Sequence, residues 1–284
     1  MPIRVYNPVT AGRRNSSVNA RTEVTKKTPE KSLLAPLKGT GGRNHHGIIT
    51  VRGRGGGAKR RYRRIDFKRN KDGVTGVVMG VEYDPNRTCF IALVRYPDGE
   101  VRYILAPEGV TDGSEVESAD HAVEPKVGNC MPLRFIPTGL TVHNIEFIAG
   151  RGGRLCRSAG MGARLSNKEG QFATLVLPSG EIRHVSLDCR ATIGVVGNGD
   201  HQHVVYGKAG RRRYLGHRPK TRGVAQDHEN HPLGGGEGRS KGNREPVSKT
   251  GVKAKGGRTR QPDKWSDRLI LRRRRSRRYG QLKL

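Results

Sequence analysis

Positive charge in this chain is confined to its two ends, and that partition limits where a core can form. Residues 1–64 carry 16 basic and 2 acidic side chains, and residues 201–284 carry 24 and 6, whereas residues 65–200 carry 15 and 17. The corresponding nets are +14, +18 and −2, which together give the formal +30 of the 284-residue chain. Apolar residues follow the same division, with 56 of 136 in the middle against 18 of 64 and 19 of 84 in the flanks. Segments low in hydrophobicity and high in net charge bury too little to offset the entropy of ordering. The expected organisation is therefore a neutral globular body between two basic arms.

An excess of this size repels itself and calls for a polyanionic partner, either nucleic acid or an anionic membrane. A membrane fits poorly. The longest clean apolar run, Cys89 to Val94, is of strand length, well short of the roughly 20 residues of a spanning helix. The N-terminus MPIRVYNPVTAGRR lacks the apolar stretch of a secretory signal, and its early prolines disfavour a surface-lying amphipathic helix. Nucleic acid is the expected partner, with no membrane and no small-molecule substrate. Segments such as GTGGRNHHG, VRGRGGGAKRRYRR and GGGEGRSKGNR space cations along a thin, glycine-rich backbone. Such segments are expected to order only against a partner, releasing counterions as they neutralise phosphates.

Within the middle, VTGVVMGVEY, RTCFIALVRY and EVRYILAP are separated by Asp84-Pro85-Asn86 and Pro97-Asp98-Gly99. Those turn residues supply a fixed or positive φ where tight connections need one, and the pattern predicts a three-stranded meander. Further turn signals near Asp112-Gly113, Gly128, Gly139, Gly150, Gly170, Ser179-Gly180 and Gly194 recur at the spacing of small barrels and sandwiches, and no sustained helical period competes. The class is all-β. One sandwich or two small barrels would both satisfy the pattern, and the lapse of alternation over 119–130 is where a division would fall.

Motifs for catalysis fail on inspection. Gly207-Lys208 is followed by Ala209 rather than Ser or Thr, no glycine triplet has dinucleotide spacing, and HExxH is absent. Cysteines at 89, 130, 156 and 189 are too far apart for a zinc knuckle or a disulfide framework. The pairs His45-His46 and His201-x-His203 lack the remaining ligands of a metal shell. No metal and no cofactor are expected, and reduced thiols fit the cytosol or an organelle matrix equally. The acidic run from Glu108 to Glu124 reads as a solvated face. HENHPLGGGEGR at 228–239 reads either as a shaped loop or as a hinge, and LILRRRRSRR as a short helix or packed strand leading into a phosphate-binding run.

APLKGTGGRNHHGIIT, YRRIDFKRNKDG, YDPNRTCFIALV, RYILAP, VHNIE, RSAG, CRATIGVVGN, GKAGRRRYLGHRP and HPLGGGEGR, in that order, span almost the whole chain. In these segments it resembles the bacterial-type L-two family of large-subunit ribosomal proteins. The resemblance implies a basic N-terminal extension over 1–64, an oligonucleotide-binding-type barrel over 65–125, an SH3-like barrel over 126–200 and a basic, glycine-rich C-terminal extension over 201–284. It further implies a structural, non-enzymatic role in translation: binding large-subunit ribosomal RNA beside neighbouring ribosomal proteins, with a possible contact to the small subunit. Support of subunit association, transfer RNA binding and the peptidyl transferase centre belongs to the same expectation. The implied location is the cytoplasmic ribosome, or that of an organelle.

The cations expected on RNA are Arg52, Arg54, Lys59, Arg60, Arg61, Arg63, Arg64, Lys68 and Arg69 on the N-terminal side. On the C-terminal side they are Lys208, Arg211, Arg212, Arg213, Arg218, Arg222, Arg239, Arg272, Arg273, Arg274 and Arg275. Tyr62 and Phe67 are placed either to stack on bases or to pack, with packing the expected fate of Phe67. By resemblance, His231, Gly234, Gly235, Gly236, Glu237 and Gly238 lie near the peptidyl transferase centre. Leu233 stands where family members commonly have a second histidine, which puts a shared role for a histidine pair in doubt. Two rival readings are an RNA-modifying enzyme with basic arms and a DNA-compacting protein.

Overall fold

Turn chemistry and alternation shape the body around two large antiparallel sheets, each with its own core. In the computed structural model, residues 2–238, 245–254, 260–261, 263–276 and 280–281 are described. The first sheet contains β1 (Gly76–Glu82), β2 (Ile91–Arg95), β3 (Val101–Leu105) and β4 (Glu115–Val116) in the order β3-β2-β1-β4. Along β1, Val78 and Val81 turn inward while Val77 and Met79 face out, with a bulge between Val78 and Gly80.

β2 is buried on both faces, which explains its unbroken apolar run. Ala92 and Val94 pack with Val78, Ile104 and Val116, whereas Ile91 and Leu93 pack with Tyr103 beneath Leu33 and Ile65. Burying each of these larger aliphatic side chains is worth about 1.5–3 kcal/mol. Leu33 comes from within the basic extension and Ile65 directly follows it, so that extension helps to close the first core.

The second sheet contains β5 (Cys130–Pro132), β6 (Thr141–His143), β7 (Ala163–Glu169), β8 (Phe172–Val176), β9 (Ile182–Ser186), β10 (Arg190–Ile193) and β11 (Ile270–Arg272), in the order β11-β9-β8-β7-β6-β10-β5. Met131, Leu133, Val142, Leu165, Leu175, Val185 and Ala191 form its core. β11 comes from the C-terminal LILRRRR run, where a packed strand is what forms, and buried Ile270 pairs opposite Arg183. The two cores draw on successive stretches of chain, and the all-β class stands.

By contact the chain divides into two units, one made of Met1–Lys38, Lys59–Lys208 and Arg268–Leu284, the other of Gly39–Ala58 and Ala209–Asp267. In the second unit, segments of the two arms pair with each other. Gly55 and Ala58 donate backbone N–H groups to Gly216 and Tyr214 at 3.1 and 3.0 Å, and Arg218 donates to Gly53 at 3.0 Å. Glycine is required for this approach, since a Cβ on Gly57 would lie 3.0 Å from the Gly216 Cα. The same unit holds α1 (Ala209–Tyr214), which carries Arg211, Arg212 and Arg213.

Candidate nucleic-acid interface

An open groove of about 780 Å³ in the first unit is lined by Tyr62, Phe67, Arg87, Arg154, Leu155, Cys156, Arg157, Ser158, Met161, Leu177, Pro178 and Ser179. Its three cations come from distant parts of the sequence. Arg87 follows the Asp84-Pro85-Asn86 turn, while Arg154 and Arg157 flank a tight bend at Cys156, whose φ is +50°. The guanidinium carbons of Arg157 and Arg87 stand 4.6 and 5.6 Å from the centre of the Phe67 ring. Phe67 also packs against Cys89, Leu105 and Val196, so it both anchors the core and forms part of the groove wall. Tyr62 is 36% exposed beside it. Cations around an aromatic floor suit a polyanion whose bases carry π faces.

Sequence reasoning missed all three groove arginines because they lie in the part of the chain with no net positive charge. RGGRLCR, read beside the arginine that follows the DPN turn, was the available signal.

Of the cations expected from sequence, Arg52, Arg54, Lys59, Arg61, Arg64, Lys68, Lys208, Arg212, Arg213, Arg218, Arg222, Arg272, Arg274 and Arg275 are exposed. Arg60 is half-buried and donates to the Pro85 carbonyl at 2.9 Å; Arg211 and Arg273 are also half-buried. Arg63 turns inward, 3.9 Å from Asp84. Arg69 must be corrected. It is 2% exposed, and its guanidinium donates to Ser118 Oγ and to the Glu117 and Gly128 carbonyls. A buried group committed to internal acceptors has no reach to an external phosphate, so its role is structural. Arg239 lies outside the described residues.

The 226–235 segment is a shaped loop. His231 is 9% exposed, its Nδ1 accepts the Leu233 N–H at 3.1 Å, and its carbonyl accepts the Gly234 N–H at 2.8 Å. An imidazole that accepts at Nδ1 carries its proton on Nε2 when neutral. Gly223 lies against the ring, where a Cβ would come within 2.3 Å of Cε1, and a Cβ on Gly234 would lie 2.3 Å from the Asp227 carbonyl oxygen. Gly235, at φ +81°, donates to the Gln226 carbonyl at 3.1 Å. Gly236, Glu237 and Gly238 continue as exposed chain.

Among the described residues, no group of three His, Cys, Asp or Glu side chains could hold a metal, and no helix is long and apolar enough to cross a membrane. Burial pushes the thiols of Cys89, Cys156 and Cys189 up to about 11, which keeps them protonated and poorly nucleophilic near neutral pH.

Two family models match the sequence: Ribosomal Proteins L2, RNA binding N-terminal domain, over residues 30–118, and Ribosomal Proteins L2, C-terminal domain, over residues 126–251. The chain belongs to the ribosomal protein L2 family. Large ribosomal subunit protein uL2 of Rhodopirellula baltica (strain DSM 10527 / NCIMB 13988 / SH1) is 58% identical over 285 residues, covering 100% of this chain and 99% of that relative. In L2 terms, the N-terminal match takes in the first sheet, the basic stretch from Arg52 to Lys68, and Arg87. The C-terminal match takes in β5 to β10, Arg154, Arg157, α1 and the His231 loop. The groove is thus built by residues from both L2 domains.

Proposed function

We propose that this chain is a structural constituent of the large ribosomal subunit and that it binds large-subunit ribosomal RNA through the Arg87–Arg154–Arg157 groove and its exposed arm cations. The observation that carries this reading is the Phe67 ring flanked by two guanidiniums in an open groove. Such a wall offers charge to phosphates and a face to an unstacked base, the combination by which proteins hold irregular RNA. Catalysis is assigned to RNA, and the protein's part is positional. We further take 65–125 and 126–200 as the two barrels, with 1–64 and 201–284 as RNA-threading extensions. The shaped His231 loop is placed near the peptidyl transferase centre, where it would support transfer RNA binding and peptide-bond formation. Neighbouring ribosomal proteins and the small subunit complete the contacts, in a cytoplasmic ribosome.

Competition of folded large-subunit RNA and duplex DNA for the purified chain, at matched salt, tests this reading. Preference for the RNA by about tenfold or more is expected, since duplex DNA offers the charge but not the unstacked bases. Equal competition would favour a DNA-compacting protein instead.

A further inference from the structure

Asp84 is fully buried, yet it sits one turn away from a groove built of cations. Its Oδ2 accepts the Nε–H of Arg87 at 2.6 Å. Its Oδ1 accepts the backbone N–H and the side-chain amide of Asn86 at 2.9 and 3.0 Å, and Arg63 Nε lies 3.9 Å away. Asn86 in turn donates to the Arg61 carbonyl at 2.7 Å. The turn is thereby tied to the Arg61–Arg63 strand, and the carboxylate cannot swing away with Arg87.

Arginine has one Nε–H and two terminal amino groups. Holding Arg87 by Nε fixes the direction of the guanidinium plane and leaves both terminal nitrogens for another acceptor. Arg87 then lies beside Phe67, as does Arg157, which itself donates to the Gly153 carbonyl at 3.3 Å. A free arginine would have to give up rotamer entropy on meeting a phosphate, and one already docked has lost it on folding.

We infer that Asp84 is a positioning residue for RNA binding: a buried carboxylate that aims Arg87 into the groove toward a backbone phosphate. This rests on the groove reading above. It makes a prediction opposite in sign to simple electrostatics. Removing a negative charge from a protein that binds a polyanion should tighten binding through the long-range field. If Asp84 positions Arg87, removing it should weaken binding.

The test is affinity of the full chain for large-subunit ribosomal RNA, with thermal melting alongside, for Asp84→Asn, Arg87→Ala, Arg87→Lys and the Asp84→Asn/Arg87→Ala double variant. Asn keeps an acceptor for the Asn86 backbone N–H and so preserves the turn. The expected results are an Asp84→Asn loss of about three- to tenfold and an Arg87→Ala loss at least as large. The double variant should bind no worse than Arg87→Ala alone, because Asp84 acts through that side chain. Arg87→Lys keeps the charge and leaves Asp84 and Arg63 in place but has no Nε–H to dock, so it should lose nearly as much as Arg87→Ala. It decides the question if Asp84→Asn does not fold. Tighter or unchanged binding by Asp84→Asn, additive losses in the double variant, or Arg87→Lys within twofold of the unmodified chain would overturn the positioning role. Undiminished binding by Arg87→Ala would instead remove the groove reading itself.

Discussion

Arg69 and Ser118, 49 residues apart, meet in the interior of the first unit, where the Arg69 Nε–H donates to Ser118 Oγ at 2.9 Å. The same guanidinium reaches the Gly128 carbonyl at 3.2 Å, on the stretch that leads into β5. Arg69 thus ties the first sheet to the start of the second. Arg69→Met should lower unfolding stability by about 3 kcal/mol or more, because it strands buried acceptors that the arginine satisfied. Urea unfolding measures this. The RNA affinity of the folded fraction should stay within about twofold, since no phosphate contact is removed.

His143 gives the body a pH dependence. The ring is 1% exposed, Nδ1 lies 2.9 Å from the Gly194 carbonyl, and burial lowers its pKa from 6.5 to about 4. The folded state keeps the ring neutral where the unfolded chain takes up a proton. Its contribution to stability is therefore complete above about pH 6.5 and is lost as the pH falls toward 4, by about 3 kcal/mol in all. Denaturant midpoints between pH 7 and pH 4.5 should fall less steeply in His143→Gln than in the unmodified chain. Equal slopes would contradict the assignment.

In the His231 loop, Gly234→Ala would force a Cβ against the Asp227 carbonyl, and His231→Ala would remove the acceptor of the Leu233 N–H and the ring that fills the space beside Gly223. Both variants should exchange amide hydrogens over 223–235 at least tenfold faster while the two sheets keep their protection. Particles reconstituted with either should assemble but form peptide bonds or join subunits more slowly. Unchanged translation would deny the loop a special role.

Much of the body was legible because its signals are local. The meander at 76–105 follows from alternation in β1 and β3 and from turns at Asp84-Pro85-Asn86 and Pro97-Asp98-Gly99. Gly128, Gly139, Gly170, Gly180 and Gly194 all take positive φ where turns were expected. What sequence could not give depends on distant segments meeting. Arg69 resembles its exposed neighbour Lys68 until its acceptors at 117, 118 and 128 are known. The groove is assembled from residues as far apart as Tyr62 and Ser179. Pairing of Gly53–Ala58 with Tyr214–Arg218 joins two arms that lie on opposite sides of the body in the sequence.

The groove cations are expected to behave as phosphate contacts. Arg154→Ala and Arg157→Ala should each weaken RNA binding on the order of tenfold and lower the slope of log affinity against log salt by about one, with little change in melting temperature. Filter binding from roughly 50 to 400 mM salt, on either side of the physiological ionic strength of about 150 mM, would show it. Losses without a change in slope would point to a packing defect.

The central claim is most directly tested by sedimenting tagged chain from cells through a moderate salt wash. The chain should remain in large-subunit particles at close to one copy per particle, because its many phosphate contacts release together only at higher salt. Recovery mainly in the free fraction, or bound to DNA, would contradict it.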